Sequence, residues 1–275
     1  MTRPVITFLT DFGPAAPAVC RGVMFGIAPD ANIIDISHKV TRYAIREGAG
    51  TLLFALRHMP VGVHVAVVDP GVGTGRLPVA LRVARGDVLV GPDNGLLPPA
   101  ADSLGGIVEA RAIENRALML AVVTSSFHGR DVFAPVAAHL AMGTPFESVG
   151  PPVNPSSLVR LPVPAAVVRN GGLDTVVTHV LVFGNVTFAG GPADLEAAIG
   201  PLAPGRPVRV DAPAHGGSPA VVETTVWAET FGRVPVGASL LMEDSEGHLS
   251  LADNQGNAAA RLGIGVDRPV RISGA

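Results

Sequence analysis

Cysteine, lysine, tryptophan and tyrosine each occur only once in the 275 residues. A lone Cys20 forms no internal disulfide and supports no multi-cysteine metal site. The only lysine, Lys39, lies in Ser37-His-Lys-Val40, so the chain has no Gly-x-x-x-x-Gly-Lys-[Ser/Thr] phosphate loop and little scope for Schiff-base chemistry. Neither sign of charge dominates: 20 basic and 23 acidic residues give a net charge of −3, against general nucleic-acid binding. Hydrophobic residues reach 48% and mean hydropathy is +0.41. Yet the apolar runs, such as Ala117 to Val123, are far shorter than the roughly 18 residues of a membrane span. Arg3 is followed by an apolar stretch that Asp11 interrupts early, which predicts no secretory leader. His-Glu-x-x-His is missing, the eight histidines have no metal-ligand spacing, and Gly71, Gly73 and Gly75 do not match the dinucleotide fingerprint. The expectation is a soluble, cytoplasmic protein with no metal site and no cofactor, contacting neither nucleic acid nor membrane.

Residues 1–150 read as strands alternating with helices. Val5 to Leu9, Ile33 to Ile36, Val63 to Val68, Val79 to Val83 and Val88 to Val90 are short apolar or alternating runs. Val19 to Ile27 predicts a helix, and Ile45, Leu52, Leu53 and Leu56 have the spacing of one helical face. Asp131 is placed to cap a helix running to about Met142, with Gly143 past its end. This predicts an N-terminal α/β domain with a mainly parallel sheet. Prolines crowd residues 151–165, which reads as a linker. Residues 166–275 predict a mainly-β domain, a small barrel, with strands at Val176 to Phe183, Val208 to Val210, Glu223 to Trp227, Leu240 to Met242 and Val270 to Ile272.

Ligands of open parallel α/β sheets bind beyond the carboxyl ends of the strands. Three polar clusters fall there: Thr10-Asp-Phe-Gly13, Asp69-Pro-Gly-Val-Gly-Thr-Gly-Arg76 and Gly91-Pro-Asp-Asn-Gly95. A fourth, Ser125-Ser-Phe-His-Gly-Arg-Asp131, supplies His128 ahead of the proposed helix. Each has an ordinary alternative. Asp-Pro-Gly and Pro-Asp-Asn-Gly are common turns, Asp11 is a plausible turn residue, and His128 stands where it could cap a helix. Tyr43 opens an amphipathic helix and Trp227 in a β domain is ordinarily core.

In order along the chain, Ile6-Thr-Phe-Leu-Thr-Asp-Phe-Gly13, Ile34-Asp-Ile-Ser-His38, Val65-Ala-Val-Val-Asp-Pro-Gly-Val-Gly-Thr74, Gly91-Pro-Asp-Asn-Gly-Leu-Leu97 and Phe127-His-Gly-Arg-Asp-Val-Phe-Ala-Pro135 resemble the S-adenosyl-L-methionine (SAM) hydroxide adenosyltransferases, or SAM hydrolases, relatives of fluorinase and chlorinase. Phe183-Gly-Asn185 and the tail from Asn254 to Leu262 extend the likeness over nearly the whole chain. The resemblance implies attack of water or hydroxide on C5′ of SAM, giving adenosine and L-methionine, in a homotrimer with sites between subunits. It implies a hydroxide-activating trio of Asp69, Arg76 and His128, with either Asp69 or His128 as the base. Asp11 would bind the ribose diol, Trp227 pack on adenine, Asn185 read the adenine edge, Tyr43 lie near the substrate and Ser245 contact the methionine part.

The second domain departs from the family pattern. Thr178-His-Val-Leu-Val182 has no carboxylate where the family places an aspartate for the substrate ammonium. Val186-Thr-Phe-Ala-Gly190 lacks the usual Thr-Asn pair, and Glu246 and Asp253 stand where the halogenases carry basic residues. Two alternatives therefore stand beside hydrolysis: a sensor that binds SAM or adenosine without turnover, and a halide-dependent adenosyl halogenase.

Overall fold

The computed structural model describes residues 3–162 and 164–275; Met1, Thr2 and Val163, the last within the proline-rich stretch, lie outside the described residues. The chain divides into two compact units, Met1–Leu161 and Pro162–Ala275.

The first unit contains strands β1 (Val5–Thr10), β2 (Asn32–Ser37), β3 (Val63–Val67), β4 (Pro78–Val83), β5 (Val88–Pro92), β6 (Ile107–Ala112) and β7 (Pro152–Val153). Their order in the sheet is β2-β1-β3-β5-β4-β6-β7. The run β2-β1-β3-β5 is parallel, and β4, β6 and β7 extend it antiparallel. Val79, Leu81 and Val83 therefore belong to a strand that runs against its neighbours, a direction that their alternation alone does not encode.

Helices α1 (Ala16–Ile27), α2 (Ile45–Leu56), α3 (Pro98–Ser103) and α4 (Ala134–Ala141) cover the sheet. Strand side chains alternate between faces, and the core divides accordingly. Ile6, Phe8, Val65 and Val67 pack with Cys20 and Met24 of α1 and with α4. Leu9, Ala66, Val68 and Leu89 pack with Leu52 and Leu56 of α2 and with α3. Cys20 is fully buried, and burial pushes its thiol up to about 12, so it is an inert core residue.

The helix expected from Asp131 starts earlier and differently. Residues Gly129–Phe133 form a π-helical turn that runs into α4. Asp131 lies inside that turn, and its buried carboxylate accepts hydrogen bonds from Thr124 N (2.8 Å) and Thr124 Oγ1 (2.7 Å) and from Arg130 Nε (2.5 Å). It fastens the preceding loop to the turn instead of capping the helix.

The second unit holds β8 (Val167–Arg169), β9 (Gly172–Val180), β10 (Val186–Phe188), β11 (Pro207–Ala212), β12 (Val221–Val226), β13 (Ser239–Glu243), β14 (Leu249–Asp253) and β15 (Pro269–Gly274). They form one antiparallel sheet in the order β12-β11-β15-β9-β10-β14-β13, with β8 beside β9. A bridge from Trp227 to Leu241 brings its two ends together, giving a nearly closed barrel. The strand expected to reach Phe183 stops at Val180, and the sequence Pro192–Ile199, unassigned by periodicity, is helix α5. Its signals are terminal: a proline in the first turn, Asp194 bonding back to the Gly191 N–H, and Gly200 just past the end. The short α6 (Ala258–Leu262) completes this unit.

Candidate active site

Sheet order places the site. β1 leads through α1 to β2 on one side, and β2 leads back through α2 to β3 on the other side of β1, so the strand order reverses between β1 and β3, the position where open α/β sheets bind ligands. Asp11 follows β1 and Asp69 follows β3. A cavity of about 250 Å³ lies there, lined by Asp11, Phe12, Tyr43, Asp69 and His128 among others.

The loop after β3 folds back on itself. Val72 N donates to Asp69 O, and Thr74 N and Oγ1 both donate to Gly71 O. This return brings Arg76 onto Asp69, with Nε donating to Oδ1 (3.1 Å) and Nη2 to Oδ2, a bidentate ion pair in which both side chains are less than a tenth exposed. Gly73 permits the approach: at φ +76°, an added Cβ would lie 2.4 Å from the Ser125 carbonyl oxygen. Arg76 Nη2 also points at His128 Nδ1, 3.4 Å away. Asp69, Arg76 and His128, separated by up to 59 positions in sequence, thus form one contiguous group.

The side chain of His128 caps nothing on the helical turn that follows it. Burial first, then the Arg76 charge, lower its pKa from the ordinary 6.5, with Asp69 and Asp131 opposing. The imidazole is therefore neutral at pH 7. Arg76 Nη1 is buried with no hydrogen-bond partner. A buried guanidinium N–H without an acceptor is costly, and here it belongs to the cation whose other nitrogens already hold Asp69.

Asp11 does not start α1, whose first turn has no side-chain cap. Its Oδ2 instead accepts the Tyr43 N–H at 3.0 Å. Tyr43 precedes α2 in a left-handed conformation (φ +68°) and is 68% exposed, so its ring is not a core element of that helix. Phe12 and Phe127 make an edge-on aromatic pair, centroids 5.5 Å apart, beside the cavity. Gly129 lets the His128 turn pass over it, because a Cβ there would fall 2.6 Å from the Phe12 ring.

Three predicted residues lie on the second unit. Asn185 is half-buried in the β9–β10 turn, where its carbonyl accepts the Leu181 N–H. Trp227 packs in the barrel core with 8% of its surface exposed. Ser245 is exposed in the turn after β13. Asp253 is held by Arg261, which also grips Glu223, and Asp244 is occupied by the N–H groups of Glu246 and His248 and by Thr187 Oγ1.

An open α/β sheet with an Asp–Arg–His group at its reversal point, followed by a small barrel, defines a class. Residues 6–150 match the SAM hydroxide adenosyltransferase N-terminal domain and residues 176–271 the C-terminal domain of the same family, to which the chain belongs. An (R)-S-adenosyl-L-methionine hydrolase of Salinispora tropica is 43% identical over 272 residues, covering 98% of each chain. The crystal structure of an uncharacterized conserved protein from Thermotoga maritima superposes with a TM-score of 0.85, at 36% identity over 98% of this chain and 99% of that one. A fluorinase from an Actinoplanes species is more distant, 31% identical over 71% of this chain and 74% of its own.

Proposed function

We propose that this enzyme hydrolyses S-adenosyl-L-methionine by attack of water on C5′, releasing adenosine, L-methionine and a proton. The observation that carries the reading is the Asp69–Arg76–His128 group, in which the Asp69 and Arg76 side chains are buried, His128 is half-buried and an Arg76 donor is unused at the mouth of β3. The sulfonium leaves as a neutral thioether, so the reaction needs no electrophile at the leaving group and we assign no cofactor. The difficulty is the nucleophile, which must be held in line and relieved of a proton. Arg76 Nη1 is the donor for the oxygen of the developing hydroxide, and the proton passes to Asp69 or neutral His128. A carboxylate beside the nucleophile repels a halide anion and accepts a proton from water, which favours hydrolysis over halogenation.

The descriptor in the relatives' name points to a stereochemical preference. Since L already fixes the amino-acid carbon, (R) refers to the sulfonium, and we assign that epimer as the preferred substrate. Asp11 binds the ribose diol beside Tyr43; Asn185 and Trp227 serve the adenine and Ser245 the methionine part. The cavity of about 250 Å³ is below the usual range of about 300–1,000 Å³ for small-molecule sites. A site of that size leaves room for completion by groups of another subunit, in keeping with the homotrimer and shared sites that we assign. The assigned compartment is the cytoplasm; among the described residues no helix is long and apolar enough to cross a membrane.

The test is incubation with each sulfonium epimer in ¹⁸O-labelled water, using gel-filtration fractions. Labelled adenosine, made faster from the (R) epimer and eluting with activity at three times the 28.0 kDa chain mass, is expected. Bound but unconverted SAM would replace hydrolysis by sensing, and activity at the single-chain mass would remove the trimer.

The lowered pKa of His128 sets the pH dependence. The imidazole is neutral above its depressed pKa and gains a second positive charge beside Arg76 only below it. The rate constant kcat/KM is expected to stay level through neutrality and to fall only below pH 6.5, the ordinary histidine value. An acid limb above that pH would show that His128 is not the group governing it.

A further inference from the structure

The Gly91–Gly95 segment, a sequence motif with no role in the chemistry above, touches the chain on both sides of the Asp69–Arg76 pair. Asn94 Nδ2 donates to the carbonyl of Val68, immediately before Asp69, at 2.8 Å. Asp93 N donates to the carbonyl of Leu77, immediately after Arg76, at 2.9 Å. We propose that this turn is a clamp that positions the water-activating pair, with Asn94 as its principal side chain. The inference rests on the hydrolytic reading and adds a positioning residue to it.

The orientation of the Asn94 amide follows from its partners. A carbonyl only accepts and an N–H only donates, so Nδ2 faces Val68 O, and Oδ1 accepts the Leu96 N–H at 3.2 Å. Asn94 thereby ties the end of β3 to the start of the segment leading into α3. The turn is itself fixed from two sides. β5, which precedes it, pairs with β3 over Val63–Val65 and with β4 over Pro78–Arg82. Asp93 Oδ1 accepts the Val159 N–H at 2.9 Å.

The need for such a clamp comes from the loop it brackets. Residues 69–76 leave the sheet and return, held internally by the turn bonds to Asp69 O and Gly71 O. The bidentate bond fixes Arg76 relative to Asp69 but fixes neither relative to the sheet. Gripping Val68 O and Leu77 O attaches both ends to β5. Displacement of about 1 Å in a catalytic group can cost about 100-fold in rate, so loss of one anchor should appear in kcat before it appears in binding.

The experiment compares Asn94→Ala and Asn94→Asp with the unaltered protein. Aspartate keeps the acceptor for Leu96 N–H and removes the donor to Val68 O but adds a negative charge that itself raises the His128 pKa, so the His128 shift is read from Asn94→Ala and Asn94→Asp serves for kcat and KM. SAM hydrolysis gives kcat and KM, calorimetry gives adenosine affinity, and NMR follows the His128 ring titration. That ring is faced by Arg76, Asp69 and Asp131, with Arg76 the largest charge effect. Slackening the clamp lets Arg76 move off and water in, both of which raise the His128 pKa. Expected is a 10- to 100-fold fall in kcat, KM and adenosine affinity within about threefold, and an upward shift of His128. Unchanged kcat and His128 titration would overturn the proposal, as would a parallel collapse of kcat, adenosine affinity and melting temperature in both variants, which would mark Asn94 as merely structural. Absence of turnover in the unaltered protein would sink the hydrolytic reading instead. The His128 shift then decides the clamp alone: present, it stands; absent, it falls.

Discussion

Asp69→Asn is expected to lower the single-turnover rate of adenosine formation at least 100-fold while adenosine affinity stays within a few-fold. Asparagine preserves the shape and volume of the side chain but presents an amide N–H₂ to the Arg76 guanidinium, donor against donor. The bidentate bond from Nε and Nη2 is lost, and so is one of the two proposed proton acceptors. General-base steps contribute about 10² to 10⁴ in rate, and misdirection of Arg76 adds to that loss. Binding is spared because Asp11, the carboxylate proposed to hold the ribose, is fixed separately through the Tyr43 N–H. Rapid-quench measurement of adenosine, with calorimetry in parallel, separates the two effects. A rate within tenfold of the unaltered protein would remove Asp69 from the chemistry, and lost adenosine affinity would make it a binding residue.

The same residues show where sequence reading succeeds and why it stops. The four polar clusters were legible because each ends an apolar run or precedes a helix, and three of the runs are parallel neighbours whose carboxyl ends share one sheet edge. That Asp69, Arg76 and His128 belong together came from family resemblance; no local pattern connects a loop after β3 with a turn before α4. Strand direction was the main hidden variable. β4 reads like its neighbours, and only its short connection to β5 signals that it runs antiparallel. The π-turn at Gly129–Phe133 was also hidden: it accompanies the Asp131 link to Thr124 and the passage of Gly129 over Phe12, contacts that no periodicity in the sequence marks. Trp227 illustrates the converse: its burial in the barrel agrees with the ordinary expectation for a β-domain tryptophan.

His64 is the least legible residue with large energetic consequences, because it sits inside the apolar run Val63 to Val68. It is fully buried near the amino end of β3, its Nε2 donating to Asp87 Oδ1 at 2.9 Å and its Nδ1 lying 2.9 Å from Thr7 Oγ1. Asp87, equally buried, also accepts from Arg85 Nε (2.8 Å) and Nη2 (2.9 Å) and from Gly62 N (3.3 Å). Burial alone would push this carboxyl up, but the hydrogen bonds and charges of His64 and Arg85 outweigh it and hold it well below the usual carboxylate range. Asp87→Asn, expected to cost about 3–5 kcal/mol, leaves the buried His64 and the partly exposed Arg85 facing a buried amide. In a unit of this size that corresponds to a melting point lower by roughly 6–20 °C. The sign of the pH dependence is fixed by the depressed pKa. The carboxylate's contribution is complete above its unfolded value of 3.8 and is lost as pH falls below that toward the folded value. Calorimetric melts of the two proteins should therefore differ most at neutral pH and converge in acid. Equal melting points at pH 7 would show that this buried cluster is no net support to the sheet. A gap that widens in acid would contradict the ionised state of Asp87.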